Sequence, residues 1–170
     1  LHALAALDGL GKLNADTLGQ VLPDKHPYVR RLAFCLAEKF PDEGKYFAPF
    51  FDFESTRQLS ECDHKVVLQQ LFTAGFFSNK EIGKSLARFI SGRFAEIRLP
   101  YFEAALLSSA HTHYEHVLWA SPTRGTVFEQ LIRMGIKKNQ AALSKKLDSV
   151  WQKAKPEDAF RVAKLWMSVL

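Results

Sequence analysis

The feature that most constrains this chain is a helix pattern written several times. Residues 24–40 read DKHPYVRRLAFCLAEKF, with LHALAALDGLGKL ahead of them and DHKVVLQQLFTAGFF and LPYFEAALLSSA behind. Each is a short run with apolar residues at helical spacing, entered through a polar or Pro-containing turn. Laid in register, Gly11, Glu38 and Gly75 share one position, with Leu13, Phe40 and Phe77 two residues later. The separations are 27 and 37 residues, and matching Val66 to Phe102 adds 36. An unequal period of that size is what helix pairs joined by variable loops produce. Short second helices are expected around residues 17–22, 46–51, 82–94 and 114–120. One pair cannot bury both of its apolar faces, so neighbouring pairs must stack. The expected fold is all-α, with four to five stacked helix pairs forming one helical-repeat domain over residues 1–170.

Punctuation along the chain agrees. Pro27, Pro100, Pro122 and Pro156 each fall just before an apolar-periodic run, the first-turn position where a missing N–H is harmless. Ser78 followed by Glu81 reads as a capping box opening the helix that carries Ile82, Leu86, Phe89 and Ile90 on one face. Leu36, Leu71, Leu106 and Leu131 are expected in successive layers of the core. The glycines of DGLGK follow no strand, so a phosphate-binding loop is excluded; Gly9 or Gly11 instead closes a helix or lets two helices approach. Glu157 and Asp158, just after Pro156, suit the dipole of a helix first turn.

Composition sets the class. A hydrophobic fraction of 47% with 24% charged residues belongs to a folded chain. No apolar run approaches the roughly 20 residues of a membrane-spanning helix, so no membrane contact is expected of this segment. The chain starts at Leu1, and its first residues are too short and too sparsely basic for a signal peptide, so a piece of a longer protein is expected. Cys35 and Cys62 form neither CxxC nor CxxCH. Cys35, between Phe34 and Leu36, reads as a small buried hydrophobe, with a Cys35–Cys62 disulfide as the open alternative.

HPYVRRLAFCLAEKF resembles the first helix of a HEAT repeat through Val29, Arg30 and Ala33. In that family the arginine braces neighbouring loops by pairing with an acidic turn residue, which implies Asp24 as the partner of Arg30. Val67 and Glu103 stand where the next arginines would be. The order of LHALAALDGLGKL, HPYVRRLAFCLAE, VVLQQLFTAGFF, PYFEAALLSSA and VFEQLIRMGIKK is similar to the HEAT-repeat segment of large bacterial membrane-bound, L-sorbosone-dehydrogenase-like proteins. The spacing of Gln69, Thr73 and Gly75 and the AALLSSA stretch carry that similarity. In those proteins a propeller resembling sugar dehydrogenases precedes the helices and a c-type haem domain with CxxCH follows. The resemblance therefore implies an armadillo-like α-α superhelix that is not an enzyme, a scaffold or spacer positioning flanking domains. It also implies no cofactor in this segment, haem c only in a downstream domain, the flanking domains or another protein as partners, and a periplasmic or extracytoplasmic location.

Constellations that could carry chemistry are few. His111, His113 and His116 come nearest to a metal site, and His113 and His116 have i, i+3 spacing. His111 would have to bend round from a turn, so the stretch reads as a polar inter-helix turn followed by a helix start, and no metal or catalytic residue is assigned. Between Lys137 and Lys164 there are eight basic residues against three acidic ones, a surplus equal to the net charge of +5. Lys138 and Lys145 are one heptad apart, as are Lys146 and Lys153, so these four are expected to line the side opposite Leu143, Leu147, Val150 and Trp151. Such a stripe is a solvated face, a docking surface for an acidic protein or a track for phosphates. Nucleic-acid binding through it is the alternative function, although no aromatic residue interleaves with the lysines as a stacking platform.

Two expectations concern apolar residues. Phe47, Phe50 and Phe51 should share a core-facing side with Phe53 turned elsewhere, unless the surplus forms a patch covered by another domain. At the ends, Leu4, Ala5, Leu7 and Leu10 leave the first helix no polar outer face. The last should pack Ala159, Val162, Ala163, Trp166 and Leu170 on Leu147, Val150 and Trp151, with Arg161, Lys164 and Ser168 wet. The front is thus expected to be the open end and the back the capped one.

Overall fold

The structure is a computed structural model that describes residues 1–53, 61–92, 100–122, 125–153 and 156–167. Among these residues there are ten α-helices and no strand. They are α1 (His2–Gly9), α2 (Ala15–Val21), α3 (Pro27–Ala37), α4 (Gly44–Phe47), α5 (Glu61–Ala74), α6 (Lys80–Gly92), α7 (Pro100–Ala120), α8 (Thr126–Lys138), α9 (Gln140–Lys153) and α10 (Pro156–Met167). The most extensive packing runs from α3 to α5, from α5 to α7 and from α6 to α7, while α2 packs on α3, and α8 on both α7 and α9. The molecule is a succession of packed helix pairs.

Local chemistry sets most helix ends. Pro27, Pro100 and Pro156 open α3, α7 and α10. Gly11, at φ 63°, closes α1: its N–H reaches Asp8 O at 3.0 Å and the Lys12 N–H reaches Leu7 O at 2.9 Å, the paired bonds of a Schellman end. Asn14 caps α2 by accepting the Thr17 N–H at 2.8 Å.

Two expected boundaries are corrected and a third is refined. Pro122 does not open a helix, because α8 starts at Thr126 behind Gly125, whose φ of 107° only glycine adopts comfortably. Asn79 takes the place of Ser78 as the cap of α6, its Oδ1 accepting the Glu81 N–H at 2.8 Å, and Glu81 pairs with Lys84 at 2.7 Å. Residues 114–120 form a second helical segment, as expected, but it follows residues 100–112 directly across a break at His113 (φ −109°, ψ 34°), so both are counted within α7, and α8 packs back on them. No Gly or Pro stands between Pro100 and Ala120 to end the helix, so the polar HTHYEH stretch bends it without stopping it. The short α4 has the opposite cause. Pro41 and Pro49 flank it within 3-10 turns at Pro41–Glu43 and Ala48–Phe50 and confine it to a single turn.

The core is rich in phenylalanine. Phe47 and Phe51 lie 5.4 and 5.7 Å from Phe77, ring centre to ring centre, and Phe34 stands edge-on 5.5 Å from Phe51. Phe53 does not turn away, as expected from helical spacing. It is fully buried in the same cluster, 5.1 Å from Phe89 of α6, because the chain has already left the helix at Phe51. Leu36, Leu71, Leu106 and Leu131 are buried as expected. Among the described residues no helix is long and apolar enough to cross a membrane. Cys35 is a half-buried free thiol, and the Cys62 side chain lies outside the described residues; burial, helped by the Glu38 charge, pushes the Cys35 pKa up.

At the front, Leu4 is buried and Leu10 is 73% exposed, in keeping with an uncovered apolar layer. At the back, Val162 is buried, Ala159, Ala163 and Trp166 are half-buried and Lys164 is exposed, as expected; Leu170, Ser168 and the Arg161 side chain lie outside the description. The back is nevertheless no polar cap, since Trp151, Phe160 and Met167 are all at least 60% exposed. Trp151 falls outside because the inward arc of α9 is set by Leu143, Lys146 and Val150, and the next residue lies about 100° further round.

Candidate functional site

Buried polar side chains mark where a fold spends its specificity, since each must find a partner or cost about 1–3 kcal/mol. Here most of the partners lie on neighbouring segments, although Ser121 bonds back to Val117 O of α7 just before it and Gln70 Oε1 is buried without a partner among the described residues. Between α3 and α5, the Thr73 hydroxyl lies 2.7 Å from Glu38 Oε1 and 3.4 Å from Phe34 O, and Gln69 donates to the same carboxylate oxygen at 3.0 Å. Between α5 and α7, the Ser109 hydroxyl donates to Leu71 O, the Thr112 hydroxyl to Gly75 O at 2.6 Å, and His113 Nε2–H to Ala74 O at 3.0 Å. At the end of α5, α7 thus covers Leu71 O and adds a donor to Ala74 O, while Phe72 O and Thr73 O accept the Gly75 and Phe76 N–H groups.

The two interfaces repeat. Thr73 and Ser109 are 36 residues apart, and the carbonyls they face, Phe34 and Leu71, are 37 apart. Gly75 allows the approach: a Cβ there would stand 3.2 Å from Ser109 Cα. The device recurs beyond. The Ser85 hydroxyl donates to Phe51 O, and Tyr114 Oη–H to Leu131 O at 2.9 Å across the space left by Gly135. Burial pushes the Tyr114 hydroxyl up to about 12 and holds it as a donor.

The histidines do not converge. His111 is exposed, His113 is buried with Nε2 on Ala74 O, and His116 is half-buried with its ring against Gly83. The rings of His113 and His116 are 6.5 Å apart and nearly perpendicular. Burial pushes the pKa of His113 down; the Ala74 carbonyl opposes this, the His116 ring adds to it, and the Phe77 carbonyl opposes it again. Among the described residues no group of three or more His, Cys, Asp or Glu is placed to hold a metal ion.

The lysine stripe is corrected more sharply. Lys138 ends α8 and the other three lysines lie on α9, because Asn139 (φ −152°) breaks the helix and its Oδ1 caps the new one at the Ala142 N–H, 3.1 Å away. The heptad count therefore does not run through. Lys145 and Lys153 are exposed, but Lys146 is 8% exposed and points inward. Its ammonium donates to Trp119 O at 3.0 Å, a terminal carbonyl of α7, and lies 5.4 Å from the centre of the Trp119 ring. Burial lowers its pKa. Asn139 before QAAL was the readable signal for the break. Nothing in the lysine spacing distinguishes Lys146 from Lys145.

Arg30 does brace a turn, with its guanidinium donating to Asp24 O at 2.9 Å and Lys25 O at 3.0 Å, while the Asp24 carboxylate accepts the His26 N–H at 2.7 Å. Val67 is buried and Glu103 accepts the Thr126 hydroxyl at 2.5 Å, so neither takes up an arginine's part. Comparisons of the chain with family models, curated proteins and solved structures found no match.

Proposed function

We propose that the chain is a HEAT-type helical-repeat scaffold, a non-catalytic spacer that holds flanking domains at a set separation. The observation that carries this reading is the repeated bond from Thr73 and Ser109 to the preceding first helix. Buried hydroxyls that would otherwise be candidates for chemistry are committed one layer back, Thr73 to the Glu38 carboxylate beside Phe34 O and Ser109 to Leu71 O. Stacked pairs tied in this way make a stiff rod with broad side faces, which suits a part that sets distance. The exposed Leu10, Trp151, Phe160 and Met167 offer apolar surface at both ends to whatever the rod joins. On the resemblance set out above, the joined parts are a sugar-dehydrogenase-like propeller and a cytochrome c domain. The lysine-stripe alternative is weakened by the inward course of Lys146 and by the helix break at Asn139.

Purified chain should be helical by circular dichroism, colourless and free of metal. Stoichiometric haem or tightly held zinc after purification would overturn the non-catalytic reading. Translated coding sequence on either side that carries neither a propeller nor a CxxCH would remove the redox partners and leave the spacer.

A further inference from the structure

Along one side of the stack, α6 and the part of α7 beyond His113 form an open groove of about 490 Å³, lined among others by Lys80, Ala87, Arg88, Glu115, His116 and Trp119. Lys80, Ala87 and Arg88 recur at i, i+7 and i+8 and so share one face of α6, while Glu115, His116 and Trp119 bring the opposite wall from α7. Gly83 makes the closeness possible, since a Cβ there would lie 2.9 Å from His116 Cγ. The walls combine small apolar surface with an indole that is 46% exposed.

Basic groups outnumber acidic ones, although Glu81 lies close enough to Lys80 and Arg88 to feel both charges. Lys80 and Arg88 are exposed on α6, about 12 Å apart along the helix axis. Lys146 Nζ stands over the Trp119 ring from the α9 side. The acid among the lining residues, Glu115, already accepts a hydrogen bond from Asn139 at 3.1 Å. A flat aromatic wall edged by cations matches a planar aromatic group bearing a negative charge. An indole face stacks on any base, and a guanidinium takes a phosphate through two parallel N–H bonds. The volume lies within the range of small-molecule sites.

We propose that this groove binds a nucleobase carrying a phosphate, with the base stacked on Trp119 and the phosphate held by Arg88 with Lys80. The site is separate from the exposed lysines of α9 and does not depend on the scaffold reading. Its chemistry is common to a free nucleotide and to a single-stranded nucleic acid.

The test is a titration of the ¹⁵N-labelled chain with AMP, followed at the Trp119 indole N–H, with adenosine, inorganic phosphate and an adenine hexanucleotide as parallel arms. AMP should shift the Trp119 resonance saturably, and adenosine or phosphate alone should bind at least about tenfold more weakly. Arg88→Gln, read at the Trp119 indole, and Trp119→Leu, read at the α6 backbone amides, both at exposed positions, should each weaken AMP by at least about fivefold without changing the helical spectrum, and Lys153→Gln should leave it unchanged. A hexanucleotide affinity above the statistical sum of six bases would identify a strand as the source, and one no better than AMP a free nucleotide. An unmoved Trp119 resonance at millimolar AMP, phosphate binding as well as AMP, or wild-type AMP affinity in both variants would overturn the proposal.

Discussion

His113 and Ala74, 39 residues apart, are joined by a 3.0 Å hydrogen bond from the imidazole Nε2–H to the carbonyl that ends α5. The ring is 4% exposed and lies at the one non-helical residue of α7, so the bend and the bond occur together.

Burial of this ring gives stability a pH dependence of known sign. Burial holds the folded pKa of His113 below its ordinary value near 6.5, so the unfolded chain binds the proton more readily. The contribution is complete above about pH 6.5 and is lost as pH falls through the folded value. The thermal midpoint should therefore drop between about pH 7.5 and pH 5, and His113→Gln, which keeps an N–H donor without the titration, should flatten that slope. An unchanged slope in the variant would remove His113 from the account.

Thr73→Val and Ser109→Ala should each cost about 1–3 kcal/mol in urea unfolding, because the first removes the donor to the Glu38 carboxylate and the second the donor to the Leu71 carbonyl in the two repeated interfaces. Ser108→Ala, at the exposed neighbouring position, should stay within about 0.5 kcal/mol. Equal midpoints for Ser109→Ala and Ser108→Ala would show that the inter-layer bond contributes nothing.

How far the sequence foretold these features depends on what each one rests on. Prolines at 27, 100 and 156 and leucines at 36, 71, 106 and 131 act through backbone geometry and burial, which period and residue type report directly. The roles of Ser109, Thr112 and His113 rest on which carbonyls a neighbouring layer leaves bare, and no local pattern carries that information. Lys146 shows the limit most clearly. It looks like Lys145 in sequence, and only the end of α7 above it makes an inward course favourable. Phe53 departs from expectation for a simpler reason, that helical spacing does not hold beyond the turn at Ala48–Phe50.

Glycine substitutions should separate the close approach from ordinary helix propensity. Gly75→Ala should destabilise by more than about 1 kcal/mol, since its Cβ meets the α7 backbone, which cannot give way as a side-chain end would. Gly92→Ala, at the end of α6 with nothing within 4 Å, should be neutral or stabilising by up to about 1 kcal/mol. The reverse order in thermal melts would contradict the α5–α7 spacing.

Adjacent lysines should behave differently. Lys145→Ala should lie within about 0.5 kcal/mol of wild type, whereas Lys146→Ala should cost more than about 1 kcal/mol by uncapping Trp119 O and emptying its buried stem. Leu71→Ala, in the core, should cost roughly 2 to 5 kcal/mol. Equal shifts for the two lysines would restore the exposed stripe.

The central claim, that interlocked layers make the chain a stiff spacer, is tested most directly by the distance between its ends. Spin labels at Gln20 of α2 and Lys145 of α9, both exposed, can be placed in a chain with Cys35→Ala and Cys62→Ser and read by double electron–electron resonance. The account predicts a single narrow distance distribution that is the same at low and high salt. A broad or two-peaked distribution would contradict it, because layers that slide or hinge on one another cannot hold flanking domains at a set separation.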